Sequence, residues 1–534
     1  MVNRWLFLFF IFIVYSEPAL CKLRVSGLFA DNMVLQRDEP ILVRGTANPG
    51  DKVSVAFHLS TLSCKVDGNG HWQVWLPVEK AGGPYLLVIR TKEETLSFKN
   101  VLVGDVWFAS GQSNMEHPVE GWKWLPNSSI YRCEEELADS DYPEIRLFTV
   151  PKYPASTEVE EVSVKEWKIP GPESLRGFSS TAWFFAKALY KKLQVPVGII
   201  NCSWAGTSIR AWESKDILDA FNDSLNFKGT PPIPERDKVV EALLANQQRR
   251  CQISIPRKGQ VREIGLLPTM AWTPFELKEI PASSEVLWLK KEIDIPERYA
   301  KESLFLSLGL LNRQSIVYFN GREIGEYMYP EPAIALVPKS CICPGKNELL
   351  IRLAQPFGPP SVKGDKSLFS ISTRDAGFRA GLSEGWSITV QDSIPKPEVE
   401  YQNYPGALFN GMVHPCLEYN LKGIIWYQGE NDVWKPELYA EMFKSLILDW
   451  RRKWKKKDLP FLYVQISLLP EIDREAGELP YQLFREKQHV ALPNTGMVYS
   501  LDIGDPYDVH PRNKKVIGER LAEQAFRIVY ERSK

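Results

Sequence analysis

What most constrains the fold of this chain is a rhythm of strands and helices that begins at Val101, lapses between about Thr230 and Gln391, and resumes after Tyr404. The apolar runs VLVGDVWFAS, VPVGIINCSW, GIIWYQ, PFLYVQIS and GMVYSLD have strand length, and amphipathic runs stand between them. Those runs are Thr181 to Leu193, Glu437 to Trp454, Tyr481 to Val490 and, at the end, Asn513 to Val529. Five strands with crossover helices predict a doubly wound parallel sheet. Within the lapse, LWLKKEIDI, SLFLSLG, SIVYFNGREIG and NELLIRLA read as further strands, with Asn320-Gly321 as a hairpin turn. They predict a β-sandwich inserted into the α/β domain.

Ahead of the rhythm, residues 23 to 100 alternate in short segments such as Ile41 to Gly45, Lys52 to Phe57 and Trp72 to Leu76, the pattern of a small β-sandwich. In that region KVDGNGHW has the outline of a sialidase Asp-box but lacks its Ser and second-position Gly, so a hairpin turn accounts for it better. At 534 residues the chain exceeds one ordinary core. The expected division is a signal peptide at 1–21, an N-terminal β-sandwich at 22–100, α/β segments at 101–230 and 392–534, and an inserted β-sandwich region at 231–391.

Arg4, the apolar run Trp5 to Tyr15, and then Ser16 to Ala19 have the shape of a secretory signal, and the apolar run is too short to span a bilayer. The mature chain is therefore expected in the secretory pathway, lysosomal or secreted, with no membrane span. Lys plus Arg total 65 against 66 for Asp plus Glu, which gives no field to gather nucleic acid. With cleavage near Cys21, about seven cysteines remain, and the close pair Cys341 and Cys343 is expected to bond to more distant partners in an undetermined connectivity. Sequons at Asn127 and Asn222 lie in polar surroundings that suit glycans, whereas Asn201 ends an apolar strand and is expected to stay unmodified.

Four polar segments follow four of the five strands, which is where open α/β sheets place their sites. Gly111-Gln112-Ser113-Asn114-Met115 can expose a Ser hydroxyl and use the Ser113 backbone N–H as an oxyanion donor. Trp204-Ala205-Gly206-Thr207 offers a second donor at Gly206, and Gln428-Gly429-Glu430-Asn431-Asp432 a third in the Asn431 amide. Asp505-Pro506-Tyr507-Asp508-Val509-His510-Pro511 supplies His510 as general base, with a carboxylate to orient it. Met115 stands where a G-x-S-x-G elbow needs Gly, so the common α/β-hydrolase fold is disfavoured. No zinc spacing, P-loop or dinucleotide fingerprint is present in the sequence, and neither metal nor cofactor is expected.

In order, Ser113, Gly206, Asn431 and His510 resemble the four blocks of the SGNH hydrolases, with their flavodoxin-like doubly wound sheet. More narrowly, GDVWFASGQSNMEHPV, FSSTAWFFAKAL, YPGALFNGMVHP, IIWYQGEND, DVHPRNKKVIGERLA and the amino-terminal LFADNMVLQRDEPILVRGTA resemble the sialate O-acetylesterase family. The resemblance implies hydrolysis of acetyl esters on sialic acid hydroxyls, notably at the 9 position, with O-acetylated sialic acids or sialoglycans as partners. Tyr507 stands where the wider family has Asp, three before the His, so Asp508, Asp505 and Asp502 all remain candidates, Asp508 first. Gln112, Trp204, Arg210 and His414 are candidate substrate contacts, Arg210 as a cation for the sialic acid carboxylate. An esterase for another glycan such as xylan, or a glycan-binding protein with a vestigial site, are the competing readings.

Overall fold

Strand β1, Thr95–Gly111, runs for 17 residues and belongs to two sheets at once. It is seen in a computed structural model that describes residues 22–531 except 124, 126–127, 164–165, 226–227, 255–272, 276–285, 312–313, 328–330, 355–361, 393–399, 469–478 and 506–507. The expected signal peptide and Asn127 lie outside the described residues.

The first half of β1 pairs antiparallel with Gly82–Arg90, and from Asp105 onward the strand is central to a parallel sheet. That sheet also contains β2 (Ile145–Thr149), β3 (Val197–Ser203), β4 (Gly423–Tyr427), β5 (Phe461–Val464) and β6 (Thr495–Val498), in spatial order β2-β3-β1-β4-β5-β6. Without the edge strand β2 this is the 2-1-3-4-5 order of flavodoxin-like sheets, whose switch point lies beside β1. β2 is an addition to the five strands read from the sequence; its run IRLFT is short and carries a buried Arg146.

Side chains alternate across this sheet into two separate cores. Trp107, Ala109, Ile425, Tyr427, Leu462 and Val464 face one, with helices from the same side, while Phe108, Ile424, Trp426, Phe461 and Tyr463 face the other. Of the helices that matter for the site, α1 is Ser113–Glu116, α2 Ser180–Leu193, α3 Pro436–Lys453 and α4 Lys514–Ala525. α2 and α4 cover the first core and α3 the second. α2 starts where it does because the Ser179 hydroxyl accepts from the Ala182 N–H, and it stops at Gln194 in the left-handed region.

Toward the amino terminus, Arg24–Val25, Ile41–Thr46 and His71–Leu76 form one sheet, and Ser60–Lys65, Lys52–Phe57 and Gly82–Arg90 extend β1 into the other. Both contribute apolar side chains to the same core. KVDGNGHW is a turn, with Asp67 Oδ1 accepting from the Asn69 and His71 N–H groups at 2.9 Å each. Between Val286 and Asp392 two antiparallel sheets share a core, with Asn320-Gly321 at a hairpin tip, both at positive φ. A helix, Arg236–Ser254, precedes them where the sequence reading expected only strands.

No disulfide forms among the described residues: Cys341 and Cys343 are both free, as are Cys64, Cys133, Cys202 and Cys416. The backbone of this pair is held by amide hydrogen bonds: Asn347 binds both the N–H and the carbonyl of Cys343 at 2.8 Å, and Asn320 binds the Cys341 carbonyl at 2.8 Å. Asn222 is exposed, while Asn201 is buried in β3 with its Oδ1 taken by Ser203. Among the described residues no helix is long and apolar enough to cross a membrane.

Glu213, which follows the turn Ile209–Trp212, is fully buried and both its carboxylate oxygens lack a hydrogen-bond partner. Burial first, and the nearby Asp449 second, hold its carboxyl neutral well above the usual carboxylate range. The stability such a group contributes is complete below its unfolded pKa and is lost as pH rises through the folded one. Glu213→Gln, which cannot ionise, is therefore expected to shrink the fall in melting temperature between about pH 5 and about pH 8. Thermal denaturation at the two pH values checks this; an unchanged fall would count against it.

Candidate active site

The strand-end segments meet at the carboxyl end of β1. Gly111 has φ +134°, and a Cβ there would lie 2.1 Å from the Tyr427 carbonyl oxygen, so only glycine allows β1 and β4 to approach so closely. The Gly111 carbonyl accepts from the Trp204 N–H (3.0 Å), and the Gln112 N–H donates to the Tyr427 carbonyl (2.9 Å), so the turn before Ser113 is bonded to both neighbouring strand ends. Ser113 then opens α1 and is 6% exposed. A four-residue helix cannot satisfy its own carbonyls. The start of α2 does so: Ser179 Oγ donates to Met115 O (2.5 Å), Ser180 Oγ to His117 O (2.7 Å) and Thr181 Oγ1 to Asn114 O (2.9 Å).

His510 lies in the loop before α4. Asp508 Oδ1 is 3.1 Å from His510 Nδ1 and also accepts the His510 N–H at 3.0 Å, and the carboxylate is 1% exposed. Asp505 accepts the Asp508 N–H (3.1 Å), while Asp502 pairs with Arg520 at 2.6 Å on the surface. Of the three candidate acids, the geometry thus brings Asp508 to the imidazole, puts Asp505 one bond behind it, and takes Asp502 elsewhere. The His510 ring packs edge-on against Trp122, with centroids 4.9 Å apart, and Trp122 in turn against His117 at 4.5 Å. His117 is fully buried, and desolvation first, then Lys514, keep its imidazole neutral well below the usual range.

Gln112 is buried, and its Oε1 accepts from Gln428 Nε2 (3.2 Å), the Gly429 N–H (3.3 Å) and the Asn431 N–H (3.2 Å), while its Nε2 lies 3.5 Å from Ser113 Oγ. It therefore clamps the loop that carries Asn431, whose own side chain is exposed. Asp432 ties that loop to the Gly206 loop, accepting from Ser208 Oγ (2.5 Å), the Ile209 N–H (2.8 Å) and Gln428 Nε2 (2.6 Å). Gly206 is exposed at φ +71° with open space around it. Its loop is held on one side by Glu116, which accepts the Ala205 N–H at 2.6 Å, and on the other by Asn403, which donates to Gly206 O at 3.1 Å. Trp204 is buried with Lys152 5.4 Å from its ring, and Arg210 is exposed beside Asp432, favouring its ionised form. His414 is apart from these loops: its Nδ1 meets the Val159 carbonyl at 2.9 Å and its Nε2 faces Glu158 at 3.4 Å. Among the described residues no three His, Cys, Asp or Glu side chains gather as a metal site.

Behind Ser113 lies a buried group that the sequence reading did not single out. Asn114 Nδ2 donates to Glu430 Oε1 (2.5 Å) and to the Val509 carbonyl (2.9 Å), and Asn114 Oδ1 accepts from Lys514 Nζ. One amide thus joins the Ser113, Asn431 and His510 segments. Lys514 is completely buried, and desolvation lowers its pKa to about 7 against the opposing pull of Glu430 and Asp508. Desolvation likewise raises the Glu430 carboxyl above its usual range. The signal available in the sequence was position: Asn114 and Glu430 adjoin Ser113 and Asn431, and Lys514 follows His510 by four residues.

Comparisons with known proteins agree with this architecture. Residues 399–527 match the family described as carbohydrate esterase, sialic acid-specific acetylesterase. The mouse sialate O-acetylesterase is 23% identical over 552 residues, covering 96% of this chain and 75% of the mouse protein. The human sialate O-acetylesterase is 21% identical, covering 95% of this chain and 71% of the human protein. The crystal structure of a carbohydrate acetylesterase from Xanthomonas citri shares the fold, with a TM-score of 0.57 and 24% identity over 95% of this chain and 75% of that one. The chain is thus similar over nearly its whole length to the sialate O-acetylesterases, and its residues 399–527 match the carbohydrate esterase family.

Proposed function

We propose that this esterase removes O-acetyl groups from sialic acids, notably the 9-O-acetyl group, with Ser113 as nucleophile, His510 as base and Asp508 orienting the imidazole. The observation that carries the chemistry is the buried Asp508 carboxylate on His510 Nδ1, which leaves Nε2 as the nitrogen able to take a proton. Ser113 Oγ attacks the acetyl carbonyl carbon as its proton passes to His510 Nε2. The backbone N–H groups of Ser113 and Gly206 and the Asn431 amide are the donors for the oxyanion, where neutral dipoles fixed in advance stabilise developing charge. Collapse expels the sugar alkoxide, which takes the proton from His510, and leaves an acetyl-serine. Water, deprotonated by the same imidazole, then releases acetate and restores Ser113. The chemistry calls on no metal or organic cofactor.

The substrate follows from the likeness to sialate O-acetylesterases. Arg210, exposed beside Asp432, is the cation available for the sialic acid carboxylate, with Trp204 as an apolar wall. The leader at 1–21, the exposed sequon at Asn222 and the sequon at Asn127 support passage through the secretory pathway to a lysosome or the outside of the cell.

Acetate release from 9-O-acetylated sialic acid, with acetylated xylan beside it, tests the reading. Release from the sialic acid ester that vanishes in Ser113→Ala is expected. Release mainly from xylan would keep the mechanism and move the substrate, and no Ser113-dependent release from either would leave a glycan-binding protein. A second test concerns the orienting acid. Asp508→Asn keeps the shape but stabilises the wrong tautomer, so kcat should fall about a thousandfold with KM little changed; a loss under about tenfold would remove Asp508 from the mechanism.

A further inference from the structure

We infer that Lys514 is a positioning residue for the reaction: by holding Asn114 Oδ1, its buried ammonium forces the Asn114 amide into the one orientation that grips the His510 loop. The inference rests on the esterase reading above. An ammonium can only donate, so the amide oxygen must turn toward Lys514 and the amide NH₂ toward Glu430 and the Val509 carbonyl. The reversed amide would set its oxygen against two acceptors, Glu430 Oε1 and the Val509 carbonyl, and its NH₂ against the Lys514 ammonium, so the cation completes a set of three partners that all demand the same orientation. Val509 immediately precedes His510, and Asn114 immediately follows Ser113. The amide therefore ties the segment of the proposed nucleophile directly to that of the proposed base.

The charges around Lys514 explain why the residue has to be a cation. Glu430 is its closest anionic counterpart through the amide, and one of the Glu430 oxygens is buried without a hydrogen bond. Asp508 adds a second favourable charge, His117 stays neutral, and the Tyr427 ring lies 5.5 Å from Nζ. Removing Lys514 alone leaves the buried Glu430 facing Asn114 with nothing to balance it.

Hydrolysis of 4-nitrophenyl acetate by the full chain, alongside the labelling rate with a fluorophosphonate serine probe, tests this in the wild type, Ser113→Ala, Lys514→Met and the double variant Lys514→Met/Glu430→Gln. In Lys514→Met, kcat and the labelling rate should both fall about a hundredfold, with KM within about twofold. The double variant, with no buried charge left unbalanced, should recover about tenfold of that loss and stay about tenfold below wild type. Wild-type kcat and labelling in a folded Lys514→Met enzyme, or in the double variant should the single one not fold, would overturn the positioning role. A wild type with no Ser113-dependent turnover would instead overturn the esterase reading beneath it.

Discussion

Because residues 95–111 stay in one strand, pairing in its first half fixes the direction and pleat of its second half. Asp105 sits at the changeover, buried, with Arg37 Nε and Nη2 at 2.8 and 2.9 Å and the Tyr530 hydroxyl at 2.8 Å. Arg37 comes from the amino-terminal region and Tyr530 from the far end of the chain, so this carboxylate holds both ends against the strand that leads to Ser113. A buried carboxylate is tolerable only with such partners. The consequence at the other end of β1 is that Ser113, the proposed nucleophile, follows a strand hydrogen-bonded on both sides up to Gly111.

The loops beyond the strand ends face a different problem. They lack ladder hydrogen bonds, yet their polar groups are buried and need partners. Amide side chains meet this need because each offers both donors and an acceptor. Gln112, Asn114, Gln428 and Asn403 together tie the Ser113, Gly206, Asn431 and His510 segments to one another. The hydroxyls of Ser179, Ser180 and Thr181 close α1 from behind. Apolar side chains could fill the same space, but they would leave backbone groups unpaired at a cost of about 1 to 3 kcal/mol each.

The parts of this arrangement that the sequence disclosed are those with local causes. Strands such as GIIWY are continuous apolar runs because the two cores bury both faces, and that pattern is visible in any window. The Asn320-Gly321 hairpin was equally legible, since its positive φ values select those residues. β2 was hidden by its shortness and by Arg146, and the helix Arg236–Ser254 by the strand-rich stretch that follows it. Ser113 and His510 stood out by residue type at strand ends, but Asn114, Glu430 and Lys514 did not. Their roles are set by partners 316 and 400 positions away, and no local pattern marks an amide whose bonds are that remote. The cysteines were misleading for a related reason: close spacing says nothing about whether a second thiol stands opposite, and Cys341 and Cys343 are both free.

Holding loops with amides rather than charges has a consequence for the chemistry. Asn and Gln do not titrate, so most of the bonds that set the geometry are indifferent to pH, whereas the proposed base His510 takes up and releases a proton twice in each catalytic cycle. The charged exceptions are Lys514, which is completely buried, and the half-buried Glu430 and Asp432, the latter among three donors that favour its ionised form against desolvation. Desolvation lowers the Lys514 pKa to about 7, and the charges of Glu430 and Asp508 pull it back toward its ionised form. The Asn114 amide keeps one orientation because Lys514 donates to its oxygen while Glu430 and the Val509 carbonyl accept from its NH₂. The charge on the proposed base His510 can therefore vary while amide bonds to the neighbouring segments hold the loop that carries it.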